Sequence, residues 1–135
     1  MLMYGDNDNS YQAAGQLAGI EKLVTCFYHF MHTLPEANVI RAMHPDDLSL
    51  SEKKLQYFLS GWLGGPKLYS QTFGSIHIPN AHCHMPIGKP ESNAWLLCMD
   101  KAIDQQPYKT CFQTYLKAQF RIPAQRIEQV CQKPT

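Results

Sequence analysis

Phe58-Leu59-Ser60-Gly61-Trp62-Leu63-Gly64-Gly65-Pro66 is the stretch on which the fold turns. With Leu55 just ahead of it, Phe58, Leu59 and Trp62 recur at three- and four-residue spacing, which is one face of an α-helix. Gly64-Gly65-Pro66 then stops that helix, because glycine accepts a left-handed cap and proline cannot continue the ladder. Upstream, Ser49-Leu50-Ser51-Glu52 reads as a capping box, with Ser49 as the cap and Glu52 reaching back. One amphipathic helix with a sharp start and a sharp stop is therefore predicted at the centre of the chain.

The segments on either side read the same way. Leu17, Ile20, Leu23, Val24, Phe27, Tyr28 and Met31 share a helical face within Tyr11–Met31, with Gly15 and Gly19 as candidate breaks. Pro35 starts a short helix running to Ala42. Lys67 to Phe73 predicts one or two turns. Gly74 to Pro90 is rich in Pro, Gly and His and predicts irregular chain packed on the body. Pro90 opens a helix with Glu91 in its first turn and Trp95, Leu96, Met99, Ala102 and Ile103 on its apolar face. Pro107 begins the last main helix, which uses Cys111, Phe112, Tyr115, Leu116 and Phe120. Pro123 is expected to interrupt it, leaving one more turn over Ala124–Val130. No strand alternation or internal repeat is present, so the fold class is all-α, with several short helices around one core. The expected organisation is a flexible N-terminal arm over 1–10, a domain over 11–122 and a tail over 123–135.

Composition bounds the function. The 135 residues are 44% apolar and 17% charged, with a formal net charge of +1. That is ordinary globular composition, and no Lys/Arg stripe points to nucleic acid. No apolar run is long enough to span a bilayer, and the first residues lack the pattern of a secretory signal. Five cysteines, an odd number without a CxxC pair, argue against a disulfide framework or a four-cysteine zinc site. A cytoplasmic setting is the simplest expectation.

Ala81-His82-Cys83-His84-Met85-Pro86 is the richest chemical feature, and three readings compete for it. It is a solvated loop that happens to hold two histidines, a zinc or copper site, or the axial ligand of a haem. Adjacent residues rarely converge on one small ion, whereas a haem needs a single imidazole and an apolar pocket. Leu55, Phe58, Leu59 and Trp62 can supply one wall, Met99 and Ile103 another. Tyr28, His44 and Trp95 are the remaining polar candidates. Each taken alone is explained by a backbone partner, a loop or a core anchor.

Together, Phe27-Tyr28, Ile40-Arg41-Ala42-Met43-His44-Pro45-Asp46-Asp47-Leu48, the 58–66 stretch, Ala94-Trp95-Leu96-Leu97-Cys98-Met99 and the twelve residues between His82 and Trp95 resemble the group II truncated haemoglobins. The similarity runs in unbroken order from about Gly19 to Tyr115. The resemblance implies a two-over-two helical sandwich with a short, loop-like proximal F region. It implies b-type haem (iron protoporphyrin IX) held without covalent attachment, the chain having no CxxCH. It puts His82 at the proximal iron ligand, Tyr28 at the distal helix-B tyrosine, His44 at the CD corner and Trp95 at the helix-G tryptophan. Ser51 and Leu55 fall at distal helix-E positions and Phe58 against the haem face. Tyr69, Met85 and Met99 are further candidate haem contacts. The chain departs from the family pattern twice. Gly15-Gln16 stands where a Gly-Gly pair is usual, and Ala81 where a basic residue often precedes the proximal histidine, so Lys54, Lys67 or Tyr69 are left for the propionates.

The function so implied is binding of dioxygen, nitric oxide, carbon monoxide or peroxide, with Tyr28, His44 and Trp95 donating to the ligand. Redox activity toward nitric oxide, peroxide or peroxynitrite is expected, with peroxidase-like or nitric oxide dioxygenase turnover needing a separate reductase, since no flavin or nicotinamide motif is present. Tyr28 or His44 are also candidates for an internal sixth iron ligand. The alternatives are a non-catalytic oxygen carrier, a gas sensor, and a non-haem helical protein. A monomer or weak homodimer is expected.

Overall fold

The computed structural model describes residues 3–74 and 88–131. Among these, the elements are α1 (Asn9–Ala13), α2 (Gln16–Thr33), a 3-10 turn (Pro35–Ala37), α3 (Asn38–Ala42), α4 (Ser49–Trp62), α5 (Leu68–Phe73), α6 (Lys89–Asp104) and α7 (Thr110–Cys131), with no strand. α2 packs on α4 and α6, and α6 packs on α7. The long helices thus form two layered pairs, as the sandwich reading expects. The core lies between them: Ile20, Leu23, Val24, Phe27 and Met31 of α2, Leu59 of α4, Met99, Ala102 and Ile103 of α6, and Phe112, Leu116 and Phe120 of α7 are buried.

The corner between α1 and α2 forms although its second glycine is missing. Gly15 takes φ +87° and Gln16 takes φ +59°, so a side chain occupies the left-handed region at the second position. That conformation costs an L-residue about 1–2 kcal/mol. Tyr108 secures the corner from afar, its hydroxyl donating to the Ala14 carbonyl at 3.2 Å.

Two local expectations are corrected. Ser49 is not the cap of α4 but its first residue, and the position before it, Leu48, makes no side-chain cap bond. Asp47 does that work, its Oδ1 accepting from the Ser49 amide at 2.9 Å and the Ser49 hydroxyl at 2.7 Å. A carboxylate there satisfies an orphan amide and also meets the positive end of the helix. Likewise Pro123 does not interrupt the last helix, since α7 runs through it to Cys131. At the end of α4 the expected stop holds. Gly64 adopts φ +93°, and a Cβ there would run into the Asn7 carbonyl, so glycine lets residues 3–8 cross the end of the helix.

Candidate functional site

Tyr28 sits on the inner face of α2 with 6% of its surface exposed. Its ring lies 4.9 Å from Phe27 and presents a T-shaped contact to His44 at 5.9 Å. Its hydroxyl donates to the Ser51 carbonyl at 3.5 Å, the outer limit of a hydrogen bond. Burial first, and then the Glu52 carboxylate, push the phenol above its ordinary range. The hydroxyl therefore keeps its proton. Because its present bond is long, it can turn toward another acceptor at small cost.

His44 reaches its place from the end of α3, where the chain leaves the helix before Pro45. Its Nδ1 lies 2.8 Å from the Ile40 carbonyl. A carbonyl oxygen only accepts, so Nδ1 carries the proton and Nε2 of the neutral ring is an acceptor. In the neutral ring this N–H faces Ile40, and the imidazolium would carry a second donor on Nε2. The i−4 carbonyl was the missed partner, and the spacing Ile40 to His44 at a helix end is the signal that could have found it.

Trp95 is half-buried on α6, with its ring 5.1 Å from Phe27 and 5.7 Å from Phe120. Phe120 also lies 4.9 Å from Trp62, whose ring stacks on Phe58 at 6.1 Å and 23°. An unbroken aromatic row therefore runs from Tyr28 through Phe27, Trp95, Phe120 and Trp62 to Phe58, joining α2, α6, α7 and α4. Phe120 clamps both tryptophans, a role the sequence reading did not give it, since helical periodicity reports burial and not which partner a core ring supports.

Leu55, Phe58 and Trp62 are half-buried whereas Leu59 and Leu63 of the same segment are buried. The α4 face toward the site is thus large, apolar and partly uncovered. Such a face, bounded by the Tyr28 and His44 polar groups, fits a flat apolar macrocycle with one polar side. Ser51 and Leu55 stand one turn apart on α4, and the Ser51 carbonyl is the acceptor of the Tyr28 hydroxyl. Met99, in contrast, is 0% exposed within the core. Tyr69 lies on α5 against Phe73, at 5.1 Å, away from the distal aromatic row. His82 and Met85, with Cys83, His84 and the loop-like F region, lie outside the described residues. Among the described residues, no three His, Cys, Asp or Glu groups gather as a metal site. A cleft of about 300 Å³ between residues 5–10, the end of α4 and α7 shares Trp62 with the row but none of Tyr28, His44 or Trp95.

Two helical pairs around a buried tyrosine, a corner histidine and a helix-borne tryptophan define a globin of the shortened kind. The comparisons agree. The family model described as bacterial-like globin matches residues 9–127. Group 2 truncated hemoglobin YjbI of Bacillus subtilis (strain 168) is 33% identical over 94 residues, 70% of this chain and 68% of that protein. The group II 2-on-2 hemoglobin of Agrobacterium tumefaciens superposes with a TM-score of 0.85 at 36% identity, covering 93% of this chain and 98% of that one. The group II truncated hemoglobin of Bacillus anthracis gives a TM-score of 0.81 at 28% identity, covering 94% and 92%. This chain belongs to the group II truncated haemoglobins, and with the family come haem and the binding of diatomic gas ligands such as dioxygen. No helix among the described residues is long and apolar enough to cross a membrane.

Proposed function

We propose that the chain holds haem b with His82 as proximal ligand. It binds dioxygen, nitric oxide, carbon monoxide and peroxide on the opposite side, and uses that chemistry to remove nitric oxide, peroxide or peroxynitrite. The haem supplies an iron with one open coordination position. Tyr28 and Trp95 supply the donors there, while Leu55 and Phe58 line the macrocycle and keep water from it. Lys54, Lys67 and Tyr69 are the proposed partners of the propionates. The observation that carries this reading is the buried, proton-retaining hydroxyl of Tyr28, held only by a 3.5 Å bond to Ser51 and so ready to donate elsewhere. Free Cys26, Cys98 and Cys111 suit a reducing, cytoplasmic setting.

Absorption spectra of the ferric, ferrous and ferrous–carbonyl forms test the cofactor. A Soret band lost in His82→Ala supports the assignment, and a band unchanged by that substitution removes it. Steady-state consumption of nitric oxide or peroxide with a chemical reductant tests the chemistry. Tight ligand binding with no consumption would leave an oxygen carrier or gas sensor instead.

A further inference from the structure

Charge is distributed unevenly along this chain in a way its total conceals. Lys53 to Pro90 contains no Asp or Glu in 38 residues and holds Lys53, Lys54, Lys67 and Lys89. The other 97 residues carry eight basic and eleven acidic side chains, a formal charge of −3, so the overall +1 hides a segment of +4.

In the fold this cationic segment includes most of the α4–α5 face. Lys53 Nζ lies 5.5 Å from the centre of the Tyr57 ring, and Lys54 Nζ 5.6 Å from that of Phe73. Tyr57 and Tyr69 flank Phe73 at 6.3 and 5.1 Å, so the three rings make one half-buried floor beneath the ammonium groups. Lys67 stands at the start of α5 beside Gly61. All three lysines are exposed, and the ion pairs among the described residues, Lys117–Asp104 and Arg121–Asp100, lie elsewhere. Glu52, the one carboxylate of α4 and α5, directly precedes Lys53 in the chain and raises the Tyr28 phenol.

With Lys54 and Lys67 given to the haem propionates, Lys53 is left as the uncommitted cation of this face, and Lys89 stands apart at the start of α6. Lysines laid over aromatic rings keep their charge outward and lose little rotamer freedom, which suits a protein surface rich in carboxylates. Phosphate polymers and anionic membranes call for a denser or longer run of cations, and the chain has neither.

We infer that the α4–α5 face centred on Lys53, Tyr57 and Phe73 is the docking surface for an acidic electron-carrier protein that re-reduces the haem. The inference rests on the redox reading above. The transfer is of one electron: the carrier's iron–sulfur centre is oxidised by one unit, ferric haem iron is reduced by one, and no proton or bond changes hands.

The test uses the haem-loaded chain and reduced plant-type ferredoxin, an acidic one-electron carrier. Carbodiimide joins lysine to carboxylate, and cross-links are expected at Lys53. Affinity is expected to fall at least tenfold between about 20 and 300 mM salt. Lys53→Glu is expected to weaken binding and slow reduction about five- to tenfold, against less than about twofold for Lys101→Glu on α6. Reduction by dithionite should be equal in all three proteins. Equal effects of the two substitutions, cross-links confined to other lysines, or salt-independent binding would overturn the surface. Loss of binding to phosphatidylglycerol vesicles in Lys53→Glu, with ferredoxin unaffected, would reassign it to a membrane. If neither nitric oxide nor peroxide is consumed in aerated buffer with ascorbate as the reductant, the redox reading fails while the binding result still stands on its own.

Discussion

At the residue scale the site depends on which groups have a proton to give. Tyr28 has one and holds it, because burial and Glu52 both disfavour the phenolate. A neutral donor bond contributes about 1 kcal/mol net, so Tyr28→Phe should raise the dioxygen dissociation rate about five- to tenfold, as read by ligand-replacement kinetics. Trp95→Phe should act in the same direction. Unchanged rates in both variants would refute the donor role. His44 differs. Its Nδ1 faces the Ile40 carbonyl at 2.8 Å, so His44→Phe should change that rate less than about threefold. The same variant should still lose about 1 kcal/mol of stability with the Ile40 bond. A loss of ligand retention as large as that of Tyr28→Phe would mean that the ring donates through its other nitrogen.

At the scale of elements, most of the fold was legible because helical periodicity reports burial directly. Phe27, Leu59, Met99 and Leu116 fall on their predicted faces and are buried. What was misread depends on information that periodicity does not carry. Capping was assigned to Ser49 from a four-residue pattern, but Asp47, two residues earlier, reaches the same amide. Pro123 removes one backbone donor, yet α7 continues through it to Cys131. The site was legible as residue types in order. The long Tyr28–Ser51 bond, the His44 tautomer and the Phe120 clamp were not, being geometry between distant segments.

The α1–α2 corner makes that limit measurable. Gln16 occupies a left-handed conformation that glycine adopts freely, so Gln16→Gly should raise stability by about 1 kcal/mol, or a few degrees in Tm. Gly15→Ala should lower it by about 1–2 kcal/mol, since φ is +87° and the new Cβ would stand 3.2 Å from the Gly19 Cα. Thermal melts of both variants check the pair. Equal melting temperatures would mean that the corner relaxes without cost.

At the scale of the whole molecule, Tyr108 ties the segment ahead of α7 to the end of α1, 94 residues away. Burial pushes its hydroxyl up to about 12, from an ordinary value of 10.0. Cys98 is pushed up to about 11 from 9.0, by burial first and then by the charge of Glu36. Both groups are neutral when protonated, and in the native state both hold their protons to higher pH than in the unfolded chain. Above pH 9 the unfolded state therefore binds fewer protons than the native one, and stability must fall as pH rises. The Cys98 contribution is lost from about pH 9 to 11 and that of Tyr108 from about 10 to 12. Urea denaturation followed by far-ultraviolet dichroism across this range should show that fall. Tyr108→Phe should be about 1 kcal/mol less stable at neutral pH, having lost the bond to Ala14. Its curve should then decline less steeply than that of the parent between pH 10 and 12, so that the two converge. Curves that stay parallel would mean that the Tyr108 hydroxyl ionises as readily in the folded protein as in the unfolded chain, and that the long-range tie does not hold its proton.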